Sequence, residues 1–168
     1  MKKALIDYKQ NPRFDERYTP SYAVTPLLKY LPKDIIIWEC TDYGASNITA
    51  VLKEAGYNVI STKKETFDFL EDTPNFEFDM IITNPPYSLK DEFMERCYEY
   101  GKPFALLLPI TSLEGIKRGE MFRKYGIKLI IFDKRVEFIE GKGNWFNTGW
   151  FCWKILDKEL NFEELEKE

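Results

Sequence analysis

Histidine is absent from this 168-residue chain, and cysteine occurs only three times, as Cys40, Cys97 and Cys152. The first absence removes imidazole acid–base catalysis and His-based triads. The scatter of the thiols removes zinc clusters of the usual spacing, so no metal centre is expected. Whatever chemistry the chain performs runs on carboxylates, amides, phenols, lysines or a bound cofactor. No apolar run approaches the ~20 residues that cross a bilayer, and the opening MKKALIDYKQNPRFDE lacks the apolar centre of a signal peptide, so a cytoplasmic location is expected. Nor is there a basic excess. Lys and Arg number 24 against 28 Asp and Glu, a net charge of −4, which gives no global attraction to nucleic acid although local basic groups remain.

What is present is material for a core. With 44% apolar residues, 16% aromatic residues and only nine glycines, the chain reads as a single globular domain, 1–168, with no linker, repeat or low-complexity tract. Five short, nearly continuous apolar runs are spaced along it: DIIIWE (34–39), YNVIST (57–62), FDMIIT (78–83), FALLLP (104–109) and IKLIIFD (127–133). Such runs suit strands buried on both faces of a parallel sheet, and their brevity argues against helices.

Helix signals lie among them. PSYAVTPLLKYL precedes the first strand. Asn47 is placed to cap a helix through ITAVLKEAG to Gly56, SLKDEFMERCYEYG stops at Gly101, and LEGIKRGEMFRKYG forms a third crossover with Gly115 and Gly119 in its first turns. Alternating strands and helices predict right-handed crossovers and an open α/β sheet covered on both faces. The Gly-rich turn and aromatic run of EFIEGKGNWFNTGWFCWKIL predict a final hairpin with one antiparallel strand.

Open α/β sheets bind ligands beyond the carboxyl ends of their strands, where strand order reverses. Asn84-Pro85-Pro86-Tyr87 lies at such an end. Two successive prolines fix their own φ and restrain the preceding residue, holding the Asn84 carboxamide and the Pro85 carbonyl in a stiff frame. Two rigid acceptors fit an exocyclic amino group. If that group belongs to adenine, its lone pair is delocalised into the ring, and acceptors aimed at its hydrogens favour the pyramidal, developing-positive state without a strong base. Tyr87 offers a π-face for an unstacked base, worth roughly 1–3 kcal/mol. The plainer alternative is a Pro-Pro turn ending a strand, with Tyr87 packed at the rim of the core.

At these residues the chain resembles a family: DMIITNPPY is similar to the catalytic motif of the amino-group (N6-adenine) DNA methyltransferases, in particular the small phage and prophage type. RYTPSYAVTPLLKYL resembles the family's amino-terminal cofactor motif. DIIIWECTDYGASNITAVLKEAGYNVIST takes the place of strand one, glycine loop, helix and strand two, and GNWFNTGWFCWKIL resembles the terminal hairpin. The resemblance implies a Rossmann-like class I methyltransferase domain: a mostly parallel seven-stranded sheet with a C-terminal antiparallel hairpin strand, helices on both faces, and no separate target-recognition domain. It implies S-adenosylmethionine as cofactor and nucleic acid, DNA ahead of RNA, as partner, in the host cytoplasm if the chain is phage-encoded, with a homo-oligomer or protein partner also open. Asn84, Pro85, Pro86 and Tyr87 would be the catalytic and target-base residues. Tyr18, Thr19 and Pro20 would border the cofactor's methionine part, Glu39 would mark the end of the first strand, Asp68 would meet the cofactor's adenine amino group, and Gly44 and Asn84 would complete the cofactor side.

The departures are specific. Aligned from Glu39, the family's two loop glycines are replaced by Tyr43 and Ala45, with Gly44 between them. Side chains there oppose close approach of backbone to ligand. After strand two the family places an acidic residue for the ribose hydroxyls. Here VISTKKETF supplies Lys63 and Lys64, which accept no hydrogen bond, and only Glu65 substitutes by a shift.

Other features carry two readings each. Asp42 either accepts from the cofactor's amino group or caps the following helix. Lys117 and Arg118 either contact phosphate or belong to a solvated helix face with Glu114 and Glu120. Trp145 and Asn147 lie in an expected loop and either meet a base or partner or pack inward. Two functions therefore follow: methyl transfer to an adenine amino group in nucleic acid, or a catalytically silent protein on the same fold, such as a phage factor binding a host protein or nucleic acid.

Overall fold

The computed structural model of the chain describes residues 18–42, 46–139, 144 and 146–167. Seven short strands form one sheet: β1 Ile36–Glu39, β2 Asn58–Ser61, β3 Met80–Thr83, β4 Phe104–Pro109, β5 Lys128–Phe132, β6 Thr148–Trp153 and β7 Leu160–Glu163. Their spatial order is β2-β1-β3-β4-β6-β5-β7. The first five fall within the five apolar runs. Six strands are parallel, and β6 runs antiparallel to both of its neighbours, β4 and β5.

The expected terminal hairpin is met only in part. The aromatic segment does form a strand antiparallel to β5, but that strand also pairs with β4 and so lies inside the sheet. The chain then adds β7, parallel to β5, at the edge. Burial explains the arrangement. All of β4 and five of the six residues of β6 are buried, so both strands need neighbours on each side, whereas β7 alternates exposed and half-buried residues as an edge strand does.

Alternate residues of the interior strands serve opposite faces. On one face Ile37, Met80, Ile82, Leu107 and Trp150 pack against Leu27, Ile48 and Leu52. These come from α1 (Ser21–Val24) with its 3-10 continuation Thr25–Tyr30, and from α2 (Asn47–Glu54). On the other face Trp38, Ile81, Leu106 and Phe151 meet Phe93, Met94, Cys97 and Met121, from α3 (Lys90–Tyr100) and α4 (Ile116–Tyr125). The expected helix over 20–31 tightens to 3-10 geometry after Val24, because Pro26 has no N–H for an α-helical bond. No helix spans 62–79. Instead Phe67, Phe69, Phe76 and Phe78 gather around Trp38, with ring centroids 5.5, 5.2, 5.1 and 4.9 Å away.

Strand order reverses at β1. The chain passes from β1 to β2 on one side and returns to β3 on the other. The carboxyl ends of β1 and β3 therefore flank the crevice where such sheets bind ligands. No helix among the described residues is long and apolar enough to cross a membrane.

Candidate functional site

Glu39 ends β1 and is only 2% exposed. Its Oε1 accepts from the Thr41 backbone N–H at 2.9 Å and from the Thr83 hydroxyl at 2.6 Å, and its Oε2 accepts from the Ser46 hydroxyl at 2.6 Å. Burial raises its pKa, against the lowering effect of the Ser46, Thr83 and Thr41 hydrogen bonds. Thr41 carries the network across to β3: its hydroxyl lies 2.6 Å from that of Thr83 and 3.2 Å from the Asn84 carbonyl oxygen. The backbone entering the Asn-Pro-Pro-Tyr segment is thus anchored to the end of β1.

A second tie reaches the other side. The Asn84 carboxamide donates to the Thr19 hydroxyl at 3.0 Å, and Asn47 at the start of α2 donates to the Thr19 carbonyl at 2.8 Å. The first bond fixes which way the Asn84 carboxamide points. Thr19 is buried while its neighbour Tyr18 is 56% exposed, and Pro20 precedes α1 in extended conformation. Pro85 is buried and Pro86 half-buried. The structure therefore brings Thr19, Glu39 and Asn84, far apart in sequence, into one connected cluster.

Tyr87 takes a different position from an open stacking platform. It is 3% exposed, and its ring meets Phe146 at 5.8 Å and Phe138 at 6.5 Å, both edge to face. As placed, it offers a base no open face. It starts the 3-10 turn Tyr87–Leu89, which feeds directly into α3.

On the cofactor side, Asp42 braces the start of α2 without being its cap residue. Its carboxylate accepts from the Ser46 backbone N–H at 3.2 Å and from the Thr49 hydroxyl at 3.0 Å. The cap residue of α2 is Ser46, whose hydroxyl accepts from the Thr49 N–H at 3.4 Å, and not Asn47, whose side chain points to Thr19. Tyr43, Gly44 and Ala45 lie outside the described residues. At the end of β2, Ser61 shares a 2.9 Å hydrogen bond with Thr49, and Lys63, Lys64 and Glu65 are exposed. Asp68 is half-buried, and its Oδ1 accepts from the Leu70 N–H at 3.0 Å.

The residues singled out for nucleic-acid contact do not form one surface. Lys117 is exposed and pairs with Glu95 at 2.8 Å. Arg118 turns inward, its side chain 12% exposed, and engages Asp91, the Glu114 carbonyl and, at 2.6 Å, the Ser112 carbonyl. Two carbonyls and a carboxylate within the fold suit a planar five-donor guanidinium better than water does. Asn147 is exposed and accepts from Arg135 at 2.8 Å. Trp145 lies outside the described residues.

Sequence reasoning missed Thr41 and Thr83. Thr83 is a fully buried hydroxyl at the end of the otherwise apolar strand MIIT, and a buried hydroxyl requires a partner. That requirement was a readable signal for an acceptor at the neighbouring strand end, which Glu39 provides.

The sheet order and the two helical layers are shared with solved structures described as methyltransferases, a likeness of fold. The chain is similar to the methyltransferase subunit of a type I restriction-modification system from Streptococcus thermophilus, with TM-score 0.55 and 16% identity over 89% of this chain and 47% of that one. It is similar to a protein of Listeria monocytogenes described as a class I S-adenosylmethionine-dependent methyltransferase, with TM-score 0.62 and 13% identity over 97% of this chain and 70% of the other. A third similar structure is a protein of Vibrio vulnificus described as the modification subunit of a type I restriction enzyme, with TM-score 0.59 and 9% identity over 99% and 50% of the two chains. The chain thus spans about half the length of the two restriction-modification proteins. No protein-family model and no curated protein matches the sequence.

Proposed function

We propose that the protein transfers a methyl group from S-adenosylmethionine to the exocyclic amino group of adenine in nucleic acid, DNA ahead of RNA, in the cytoplasm. The observation that carries this reading is the anchoring of Asn84: its carbonyl to Thr41, its carboxamide to Thr19, at the reversal point of the sheet. A residue held at its backbone carbonyl and at its carboxamide, and followed by two prolines, is pre-positioned, and pre-positioned acceptors stabilise charge developing on an amino nitrogen more than its ground state.

The residues present fit the cofactor at two of its three parts. Tyr18, Thr19, Pro20 and Asn84 offer hydroxyl, carbonyl and amide groups beside the crevice for its methionine end. Asp68 offers a half-buried carboxylate for its adenine amino group. At the ribose position no carboxylate ends β2, and the first one, Glu65, is exposed beside Lys63 and Lys64. When bound, the cofactor supplies an electrophilic methyl group on a cationic sulfur. The chain's own residues do the rest. Asn84 and the Pro85 carbonyl orient the target amino group and accept from its hydrogens. Glu39, through Thr41 and Thr83, positions the Asn84 backbone. Tyr87 would stack the target base once Phe146 moves aside.

The ribose position favours a second reading, a catalytically silent protein of the same fold that binds a host protein or nucleic acid. Calorimetric titration with S-adenosylmethionine, together with labelled methyl transfer to unmodified DNA and RNA, separates the two. Binding and transfer, with transfer lost in Asn84→Ala, support the enzyme. Absence of both removes it, and transfer insensitive to Asn84→Ala overturns the assigned mechanism.

A further inference from the structure

We propose that the turn Leu113–Ile116 is a wedge that enters a DNA duplex beside the base delivered to Asn84. The inference rests on the methyl-transfer reading above and goes on to say how the chain obtains an unstacked base. Thr83 at the end of β3 pairs with Leu106, so β4 continues three residues further, to Pro109. Asn84 is therefore level with Leu107, and at 3.3 Å per residue β4 stands about 7 Å above it. The 3-10 turn Ile110–Leu113 and the start of α4 follow directly from the top of that strand, on the same carboxyl rim of the sheet as Asn84.

The tip of this rim is apolar and exposed. Ile116 is 88% exposed, the highest value among the large hydrophobic residues of the described chain, and Leu113 is 42% exposed. The tip is also stiff. Arg118 donates to the carbonyls of Ser112 and Glu114 and pairs with Asp91, four residues beyond Tyr87, which joins the rim to the helix that follows the Asn-Pro-Pro-Tyr segment. Gly115 makes the brace possible. Its φ is +154°, and a Cβ there would stand 2.5 Å from the Arg118 Nη2.

An exposed isoleucine on a flexible loop is ordinary surface, but one locked on a braced turn above a base-handling site is an inserting group. Removing a base from a duplex leaves its neighbours unstacked, and apolar Ile or Leu wedges fill or open such steps. The occupant also follows from the site below. Because Tyr87 is enclosed by Phe138 and Phe146, the motif itself presents no exposed aromatic face to open a stack. Lys117, next to Ile116, is exposed at the same rim and paired with Glu95.

The test compares labelled methyl transfer to unmethylated genomic DNA, native and heat-denatured, by the wild-type protein and by Ile116→Ala, Ile116→Leu and Gly115→Ala. The expected result is a loss of about tenfold on native DNA for Ile116→Ala with less than a twofold change on denatured DNA. Ile116→Leu should retain activity on both forms, and Gly115→Ala, which displaces the Arg118 brace, should show a smaller loss on native DNA alone. Because Ile116 packs against little, the thermal midpoint of Ile116→Ala should match the wild type. Equal transfer by Ile116→Ala and wild type on native DNA overturns the wedge, as does an equal loss on both forms, or wild-type transfer confined to denatured DNA. Absence of wild-type transfer to either form overturns the methyl-transfer reading itself, and the wedge with it.

Discussion

At the ends of β1 and β3, Glu39, Thr41, Thr83 and Asn84 are joined by hydrogen bonds of 2.6 to 3.2 Å, and three of the four residues are buried. At the end of β2, one strand away, Lys63 to Thr66 form an exposed turn whose hydrogen bonds are local, from the Thr66 and Phe67 N–H groups to the Lys63 carbonyl. The two halves of the rim therefore answer to different constraints. The first cannot change without leaving buried polar groups unsatisfied, so folding itself maintains it. The second is ordinary surface and can exchange its side chains at almost no cost to the fold. Retention of the Asn84 half is compatible with either function, and the β2 half is where the two diverge.

Four substitutions or conditions probe that contrast. Asn84→Ala should have the largest effect, cutting methyl transfer by about 100-fold or more. Stability should fall by about 1 kcal/mol for the neutral hydrogen bond to Thr19, less than for Glu39→Ala. Transfer assays and denaturant titration check the pair of values. Glu39→Ala should reverse the balance, destabilising the chain by about 3 kcal/mol because the Ser46 and Thr83 hydroxyls and the Thr41 N–H lose their acceptor inside the core. Glu39→Gln should cost less, and urea unfolding ranks the two.

The third concerns pH. A carboxyl group whose folded pKa is raised by burial binds its proton more tightly in the folded state than in the unfolded chain. Its contribution is therefore complete below the ordinary glutamate pKa and declines as pH rises through the interval up to the raised value. Wild-type stability should fall across that interval relative to Glu39→Gln, seen as converging or crossing thermal midpoints. A steeper loss in Glu39→Gln would contradict it. The smallest effect concerns the other half. Lys63→Asp should leave stability within about 0.5 kcal/mol. If the ribose reading is right, it should also tighten S-adenosylmethionine binding by about tenfold, measured by calorimetry.

The sequence showed the interior of the sheet more clearly than its margins. β1 to β5 were visible because strands buried on both faces must be apolar at every position, as in FALLLP, and few other elements leave that trace. β7 left no such trace, since LNFE is half exposed and reads as loop. β6 was visible as a strand but not as an insertion between β4 and β5, because strand order depends on which edges remain open after the others have paired. At the site, Asn84 and its prolines were legible from local stereochemistry. For Tyr87 the sequence left a stacking face and packing at the core rim both open, and the enclosure that decides for packing comes from Phe138 and Phe146, more than 50 positions away. Arg118 resembled a surface cation, and only its partners from two elements show it as a brace.

By itself the sequence determined the local constraints: where strands are buried, which peptide units the prolines stiffen, and which residue types are missing from the chemistry. These are properties of neighbouring residues and need no long-range contact. The tertiary structure alone decided that Thr19, Thr41, Thr83 and Asn84 share one hydrogen-bonded cluster, that Tyr87 faces inward, and that Ile116 stands exposed above them. Each of those outcomes depends on the three-dimensional pairing of β1 with β3 and of α3 with α4. Hydrogen bonds and burial are set by distance in space, which spacing along the chain does not encode.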